Sequence, residues 1–373
     1  MKTYLVGGAV RDQLLGIEVR ERDWLVTGAT QQQMLDQGFR HIDPDFPVFK
    51  HPQTGEEYAL ARRETKRGSG YKGFSIETSP DITLEEDLQR RDLTINAMAI
   101  DEQGNLHDPY NGQDDLHEGL LRHVSPAFVE DPFRLIRIAR FASKLGEHGF
   151  HVSHGTFKLM KSVADGDELK DLVPQRIVTE MYKALEATQP WQFFKLLGKC
   201  KALDVILPGL NPWINGEQMK HGEDSLQIRA LKNCCRLSAN PDTRLAALLY
   251  SAIKDGAYDL SARLPLNKSV LRLFDCIRHQ SDVLLTSQDA QALLGALLGC
   301  GLNRQGGALD AFMQVLNANH EGDKRLHGMA ALLESLSTIS ARSVATDNLS
   351  GKELGNALHN HRLQTIQNWL KAA

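Results

Sequence analysis

The feature that most limits what this chain can fold into is a change of hydrophobic period near Glu130. Upstream, short strand-like runs (Thr3–Val6, Asp23–Thr27, Glu57–Ala61, Met98–Asp101) alternate with helical stretches and with Gly, Asp and Asn turns. Downstream, apolar residues recur every three or four positions over Phe133–Leu145, Pro174–Ala187, Trp191–Leu203, Ser225–Leu237, Thr243–Ile253, Val270–Leu285 and Ala308–Asn317. Pro and Gly clusters at Leu207–Pro212 and Asp255–Pro265 mark joints between helical groups. The pattern predicts an α+β chain: a small mixed β-sheet head over 1–125, then an elongated all-α body with a joint near residue 210.

Charge follows the same division. Net charge is −4, which by itself argues against a nucleic-acid partner. Residues 1–150, however, carry 18 Lys and Arg against 25 Asp and Glu, whereas the remainder carries 25 against 22. An acidic front and a mildly basic rear suit a metal site followed by a surface that tracks a phosphate backbone. No apolar run is long enough to cross a bilayer, and MKTYLVGGAVRD lacks the apolar core of a signal peptide. Cys200, Cys234, Cys235, Cys276 and Cys300 form no CxxC pair, and their odd number suits a reducing compartment. The expected location is cytoplasmic, with no membrane association and no stable protein partner implied.

Two segments of the head carry chemistry. In LVGGAVRDQLLG (Leu5–Gly16) a strand runs through Gly7-Gly8 into a helix, a turn that lets backbone approach an anion at the helix N-terminus. Arg11 in the first turn opposes the helix dipole, and a bound phosphate would resolve that conflict. In ERDWLV (Glu21–Val26) strand alternation predicts Glu21 and Asp23 on one face, with Trp24 and Val26 on the other. An isolated ExD is commonly a solvated strand edge. Two carboxylates side by side repel, and bound Mg²⁺, which takes few carboxylates plus waters and substrate phosphates, makes the pairing favourable.

GGAVRD, the spaced carboxylates and RRDLTINAMA (Arg90–Ala99) together resemble the head of bacterial tRNA nucleotidyltransferases. These are the class II CCA-adding enzymes of the DNA polymerase beta-like superfamily, a class that also includes bacterial poly(A) polymerases. The resemblance continues through DPYNGQDDLHEGLLRHV (Asp108–Val124) and EDPFRLIRIARF (Glu130–Phe141) and fades after about residue 190. It implies Mg²⁺-dependent transfer of CMP and AMP to a tRNA end without a template, releasing pyrophosphate. It also implies Glu21 and Asp23 as metal ligands and catalytic carboxylates, Glu57 on a neighbouring strand as a third, and Gly8, Arg11 and Arg91 as nucleotide contacts. Where the family usually has Asp at both metal positions, this chain has Glu21 at the first, so altered geometry rather than lost metal is expected.

Asp131, Arg134, Arg137 and Arg140 recur every three residues, with Pro132 suited to a first helical position and Asp131 to an N-cap. Such stripes are usually solvated. Cytosine and adenine, however, share an amino donor beside a ring-nitrogen acceptor, which a carboxylate and a guanidinium can match. By resemblance Asp131 and Arg134 take that base-reading role, and Arg137 and Arg140 contact the nucleotide. On the same basis 126–210 is expected to be a nucleotide-recognition helical domain and 211–373 a body that holds the tRNA acceptor arm.

KRGSGYKGF (Lys66–Phe74) reads as a mobile loop, which in similar enzymes serves the switch from C to A addition. LVPQRIVTEMYKA (Leu172–Ala184) resembles a helix that supports the nucleotide pocket, with Gln175 where an acid is common. Many relatives carry a His-Asp phosphohydrolase centre. The corresponding stretch here, Leu248–Asp255, has no such pair, so a variant without that activity is expected. Alternatives remain a poly(A) polymerase-like or CC-only enzyme and an RNA-binding pseudoenzyme. Asp45–Lys50, in place of a basic GRRF-type stretch, argues against the first, and intact Asp23, Arg91, Asp131 and Arg134 argue against the last.

Overall fold

The computed structural model describes residues 1–43, 46–68, 73–215, 223–256, 264–303, 308–340 and 351–372. The chain divides into two compact units, Met1–Ile206 and Leu207–Ala373.

The first unit is built on a seven-stranded mixed sheet, in the order β3-β4-β5-β2-β1-β8-β9. Its strands are β1 (Lys2–Val6), β2 (Asp23–Thr27), β3 (Arg40–Asp43), β4 (Phe46–Lys50), β5 (Glu57–Leu60), β8 (Ala99–Asp101) and β9 (Leu106–His107). Between them, β6 (Arg62–Lys66) and β7 (Phe74–Thr78) pair as a separate antiparallel ribbon. Alternation in β2 buries its two faces in different places. Leu25 packs with Tyr4, Val6, Ile82 and Leu88, whereas Val26 packs with Met34, Phe49 and Leu60. Apolar burial on both faces fixes the register, since a one-residue slip would carry each set to the wrong side.

That register places the chemistry. β1 runs antiparallel to β2 with Val6 opposite Asp23, and β5 runs parallel to β2 with Glu57 opposite Asp23. The end of β1, the Gly7-Gly8 turn into α1 (Gly8–Leu14), and the starts of β2 and β5 therefore meet at one end of the sheet.

Past the sheet the first unit is helical. α2 (Gln31–Asp36), α3 (Leu84–Gln89) and α4 (Gly112–Glu118) belong to the head. After them come α5 (Phe133–Leu145), α6 (His154–Ala164), α7 (Pro174–Glu186), α8 (Trp191–Lys199) and α9 (Ala202–Ile206). α5 packs against α7 and α8, burying Leu135, Ile136, Ile138 and Ala139 completely. The periodicity of Trp191–Leu203 suggests one helix. The structure breaks it at Lys201, whose φ of 66° is left-handed and ends α8 with a turn.

In the second unit α10 (Asn211–Asn215), α11 (Leu226–Leu237), α12 (Pro241–Lys254), α13 (Lys268–Thr286), α14 (Ala290–Gly299), α15 (Ala308–Asn319) and α16 (Lys324–Thr338) precede a last helix over Gly351–Ala372. α12 is its centre, packed on α11, α13 and α15. A mixed-sheet head followed by a helical body is thus the observed fold class. Among the described residues no helix is long and apolar enough to cross a membrane.

Candidate active site

An open cleft of about 1450 Å³ in the first unit is lined by eleven Lys and Arg and nine Asp and Glu side chains. Gly8, Arg11, Glu21, Asp23, Arg91, Asp131, Arg134, Arg137 and Arg140 all line it, which brings together nearly every residue singled out in the sequence. Glu57 does not line it, although the ladder sets it beside Asp23.

The carboxylates differ from the expected strand pair. β2 begins at Asp23, and Glu21 lies in the irregular segment before it, so the two are not neighbours on one strand face. The reason is the ladder: Asp23 is the first residue of β2 with a partner in β1 or β5, and no ladder partner holds residues 21–22 extended. Among the described residues the side chains of Glu21, Asp23 and Glu57 form no hydrogen bond or ion pair. Asp23 is exposed to the cleft, yet desolvation by the protein around it pushes its carboxyl above the usual range. Arg91 pulls it down, and Glu57 and Glu21 push it up. Carboxylates crowded together without partners are a donor set a hard divalent cation fits. No group of three or more His, Cys, Asp or Glu suited to a metal occurs among the described residues. A pair suffices for an ion that draws its other ligands from water and substrate phosphate.

At the other side of the turn, Gly7 has φ 71°, and a Cβ there would lie 2.9 Å from NH1 of Arg91. Glycine is required twice over, for the backbone and for the close approach of the guanidinium. Arg11 is not left for a phosphate alone. It is buried, with Nε donating to Asp12 at 2.8 Å and NH1 to Asn96 at 2.6 Å, so protein groups answer the dipole conflict. Lys144 donates to the same Asp12 carboxylate at 3.0 Å, tying α1 to α5.

The stripe on α5 is held from below. The helix starts at Phe133, one residue later than the capping argument places it. Asp131 still caps in effect, its Oδ1 accepting from the Phe133 N–H at 3.0 Å. Arg134 is buried and donates to the carbonyls of Ala127 at 3.3 Å and Arg90 at 2.6 Å. Arg137 Nε donates to Asp92 at 2.7 Å and Arg140 Nε to Glu180 at 2.5 Å. Burial opposes the charge on Asp92, but Arg137 and a hydrogen bond from Asn96 outweigh it and hold the carboxyl far below its usual range. Asp92, Asn96 and Glu180 were not among the sequence candidates. The first two lie inside the RRDLTINAMA segment, and Glu180 inside the α7 motif, so motif membership was the signal available.

Elsewhere the structure is partial or different. Lys66 and Phe74 end the β6–β7 ribbon rather than a free loop, with Lys66 bonded to Glu168 at 2.7 and 2.6 Å. Residues 69–72, like Asp45 and most of the 255–265 joint, lie outside the described residues. In the second unit Leu248 and Leu249 are fully buried on α12, and Tyr250 OH meets His320 Nε2 at 3.1 Å.

A cleft joining unpartnered carboxylates to fixed arginines, on a sheet of this topology, defines a nucleotidyltransferase. Residues 3–122 match the poly A polymerase head domain, and 149–214 match the "Probable RNA and SrmB- binding site of polymerase A". The chain is 40% identical to a multifunctional CCA protein of Thioalkalivibrio sulfidiphilus, over 98% of both chains. It is 41% identical to that of Pseudomonas putida, over 98% of this chain and 99% of the other. It belongs to the multifunctional CCA protein family. Among solved structures, a CCA-adding enzyme in an apo form shares the fold with TM-score 0.70 at 20% identity, covering 100% of this chain and 90% of that one. A Thermotoga maritima CCA-adding enzyme complexed with tRNA does so with TM-score 0.66 at 19% identity, covering 100% and 90%. Nucleotidyltransferases of this family generally use a divalent metal.

Proposed function

We propose that this chain adds CCA to the 3′ end of tRNA from CTP and ATP without a nucleic-acid template, releasing pyrophosphate. One observation carries this reading: the carboxylates at Glu21 and Asp23 and the stripe from Asp131 to Arg140 line a single cleft.

The tRNA 3′-hydroxyl attacks the α-phosphorus of the nucleotide, and the bond to the β-phosphate breaks. Asp23 and Glu21, with Glu57 beside them, would hold Mg²⁺, which when bound supplies Lewis acidity and neutralises developing phosphate charge. The chain's own part is positioning. The Gly7-Gly8 turn gives the triphosphate room beside backbone, and Arg91 and Arg137 offer planar donor forks to its oxygens. Asp131 accepts from the base amino group while Arg134, with N–H groups left over from its two carbonyl bonds, donates to the ring nitrogen. Uracil and guanine present the reverse pattern and are refused. The helical segments beyond α5 supply phosphate and shape contacts to the acceptor arm.

The test is incubation of tRNA ending at the discriminator base with labelled CTP and ATP, separately and together, with products sized. Two additions with CTP alone and a third only when ATP is present are expected. A long A tract from ATP alone would overturn the reading.

A further inference from the structure

Arg91 stands between two aspartates. Its NH2 reaches Oδ2 of Asp87 at 3.3 Å and its NH1 reaches the Asn96 carbonyl at 3.4 Å, while its buried Nε has no hydrogen-bond partner. Its Nη1 also comes up against Gly7, the residue after Val6, which pairs with Asp23 in the ladder; Asp23 lines the same cleft and feels Arg91 as its attracting cation but forms no ion pair with it. Both Arg91 bonds are long, so hydrogen bonding alone holds the guanidinium weakly. Charge holds it better. Asp87 is fully buried, and it also takes Nε and NH2 of Arg90 at 3.0 and 2.8 Å and the Arg62 N–H at 3.3 Å. Burial opposes ionisation of Asp87, yet Arg90 and Arg91 outweigh it and keep the carboxylate charged.

We propose that Asp87 is a positioning residue for the metal site, holding Arg91 back from Asp23 so that the Asp23 carboxylate stays free for a divalent cation. The proposal rests on the reading of Asp23 as a metal ligand. A largely buried guanidinium that loses its counter-charge turns to a carboxylate still unpaired, and because Asp92 is already held by Arg137, the one left that feels Arg91 is Asp23. Once Asp23 accepts from Arg91, its oxygens are taken and a cation must displace the guanidinium. Arg90 does not share this function, since its guanidinium is held a second time by Glu64 of β6 at 3.0 Å.

The test uses the full chain and Mn²⁺ alone as probe, with free Mn²⁺ followed by electron paramagnetic resonance, so that no turnover enters the readout. Asp87→Asn keeps the shape and removes the charge, and it should weaken Mn²⁺ binding about tenfold, the lower end of a charge-assisted bond. Asp115→Asn is the control. It removes an equally buried carboxylate, bonded to Thr94 and Arg122 away from the cleft, and should leave Mn²⁺ affinity within about twofold. Folding is checked by circular dichroism. If Asp87→Asn does not fold, Asp87→Asn/Arg90→Met removes one charge of each sign and leaves Arg91 unanchored, and the same weakening is expected. Wild-type affinity in either folded variant overturns the proposal. If Asp23→Asn fails to weaken Mn²⁺ binding, the metal assignment itself falls and this proposal with it. Loss in Asp23→Asn with no change in Asp87→Asn rejects the Asp87 proposal alone.

Discussion

Arg137 donates through Nε to Oδ2 of Asp92 at 2.7 Å, joining residues 45 positions apart. The Asp92 carboxylate also takes the Asn96 amide at 3.2 Å, and Asn96 in turn accepts from Arg11. A continuous chain of polar groups therefore runs from the glycine turn at α1 to the arginine stripe on α5.

That chain gives stability a definite pH dependence. The folded pKa of Asp92 lies below its ordinary value of 3.8, so its contribution is fully present above about pH 4 and is lost as pH falls through the folded value. Asp92→Asn should lower unfolding free energy at pH 7 by roughly 1–3 kcal/mol, the range for a hydrogen bond to a charged group. Urea unfolding at several pH values should show this gap narrowing below pH 4. A gap that stays constant with pH would mean Asp92 is not held as the anion.

Asp23→Ala should lose about a thousandfold in nucleotide addition, roughly 4 kcal/mol of barrier, while circular dichroism and tRNA affinity stay near wild type. Glu21→Asp should keep activity, because Glu21 sits in an exposed irregular segment that can adjust to a side chain one methylene shorter. Primer-extension rates on tRNA lacking its terminus decide both. Substantial turnover by Asp23→Ala in magnesium removes that residue from the chemistry.

Gly7→Ala tests the close approach at the turn. A left-handed alanine costs about 1–2 kcal/mol, and the new methyl must also displace the Arg91 guanidinium. Denaturant unfolding should show that loss. The KM for CTP should rise more than for the same substitution at Gly104, whose φ is 84° and whose Cβ would meet nothing.

Base choice is best tested at Asp131. Arg134→Ala also strips two backbone carbonyls of their donor, so its effects mix recognition with packing. Asp131→Asn keeps an oxygen for the Phe133 N–H and should leave stability within about 0.5 kcal/mol. The ratio of CTP to UTP incorporation should fall about tenfold to a hundredfold, the cost of losing one arm of a base-edge pair. An unchanged ratio would make the stripe a phosphate clamp.

The missing His-Asp pair predicts no phosphate release from 2′,3′-cyclic substrates with added transition metals. Leu248 and Leu249, in the corresponding stretch, are buried apolar side chains of α12 that offer no metal ligand. Turnover that survives repeated purification would contradict this.

What the sequence disclosed and what it hid separate along physical lines. The extent of α5 was legible, because thirteen positions of helical period leave little freedom, although its cap lies one residue from where Asp131 and Pro132 suggested. The triplet spacing of Asp131, Arg134, Arg137 and Arg140 was legible too, since it is local. Asp92 and Glu180 were not, because what pairs them with α5 is packing across 45 and 40 residues, which period does not encode. Alternation placed Glu21 on a strand, although a strand extends only as far as its ladder, and that ends at Asp23. For Arg11 the dipole argument found the conflict but not the protein groups that answer it, Asp12 next in sequence and Asn96 from 85 residues away.

The arginines of the stripe are each tied to protein before any nucleotide arrives: Arg134 to two carbonyls, Arg137 to Asp92, Arg140 to Glu180. A free arginine carries about 2 kcal/mol of rotamer entropy that a ligand must otherwise remove. Folding has already removed that freedom, so on the proposed reading of the stripe a bound nucleotide surrenders mainly its own.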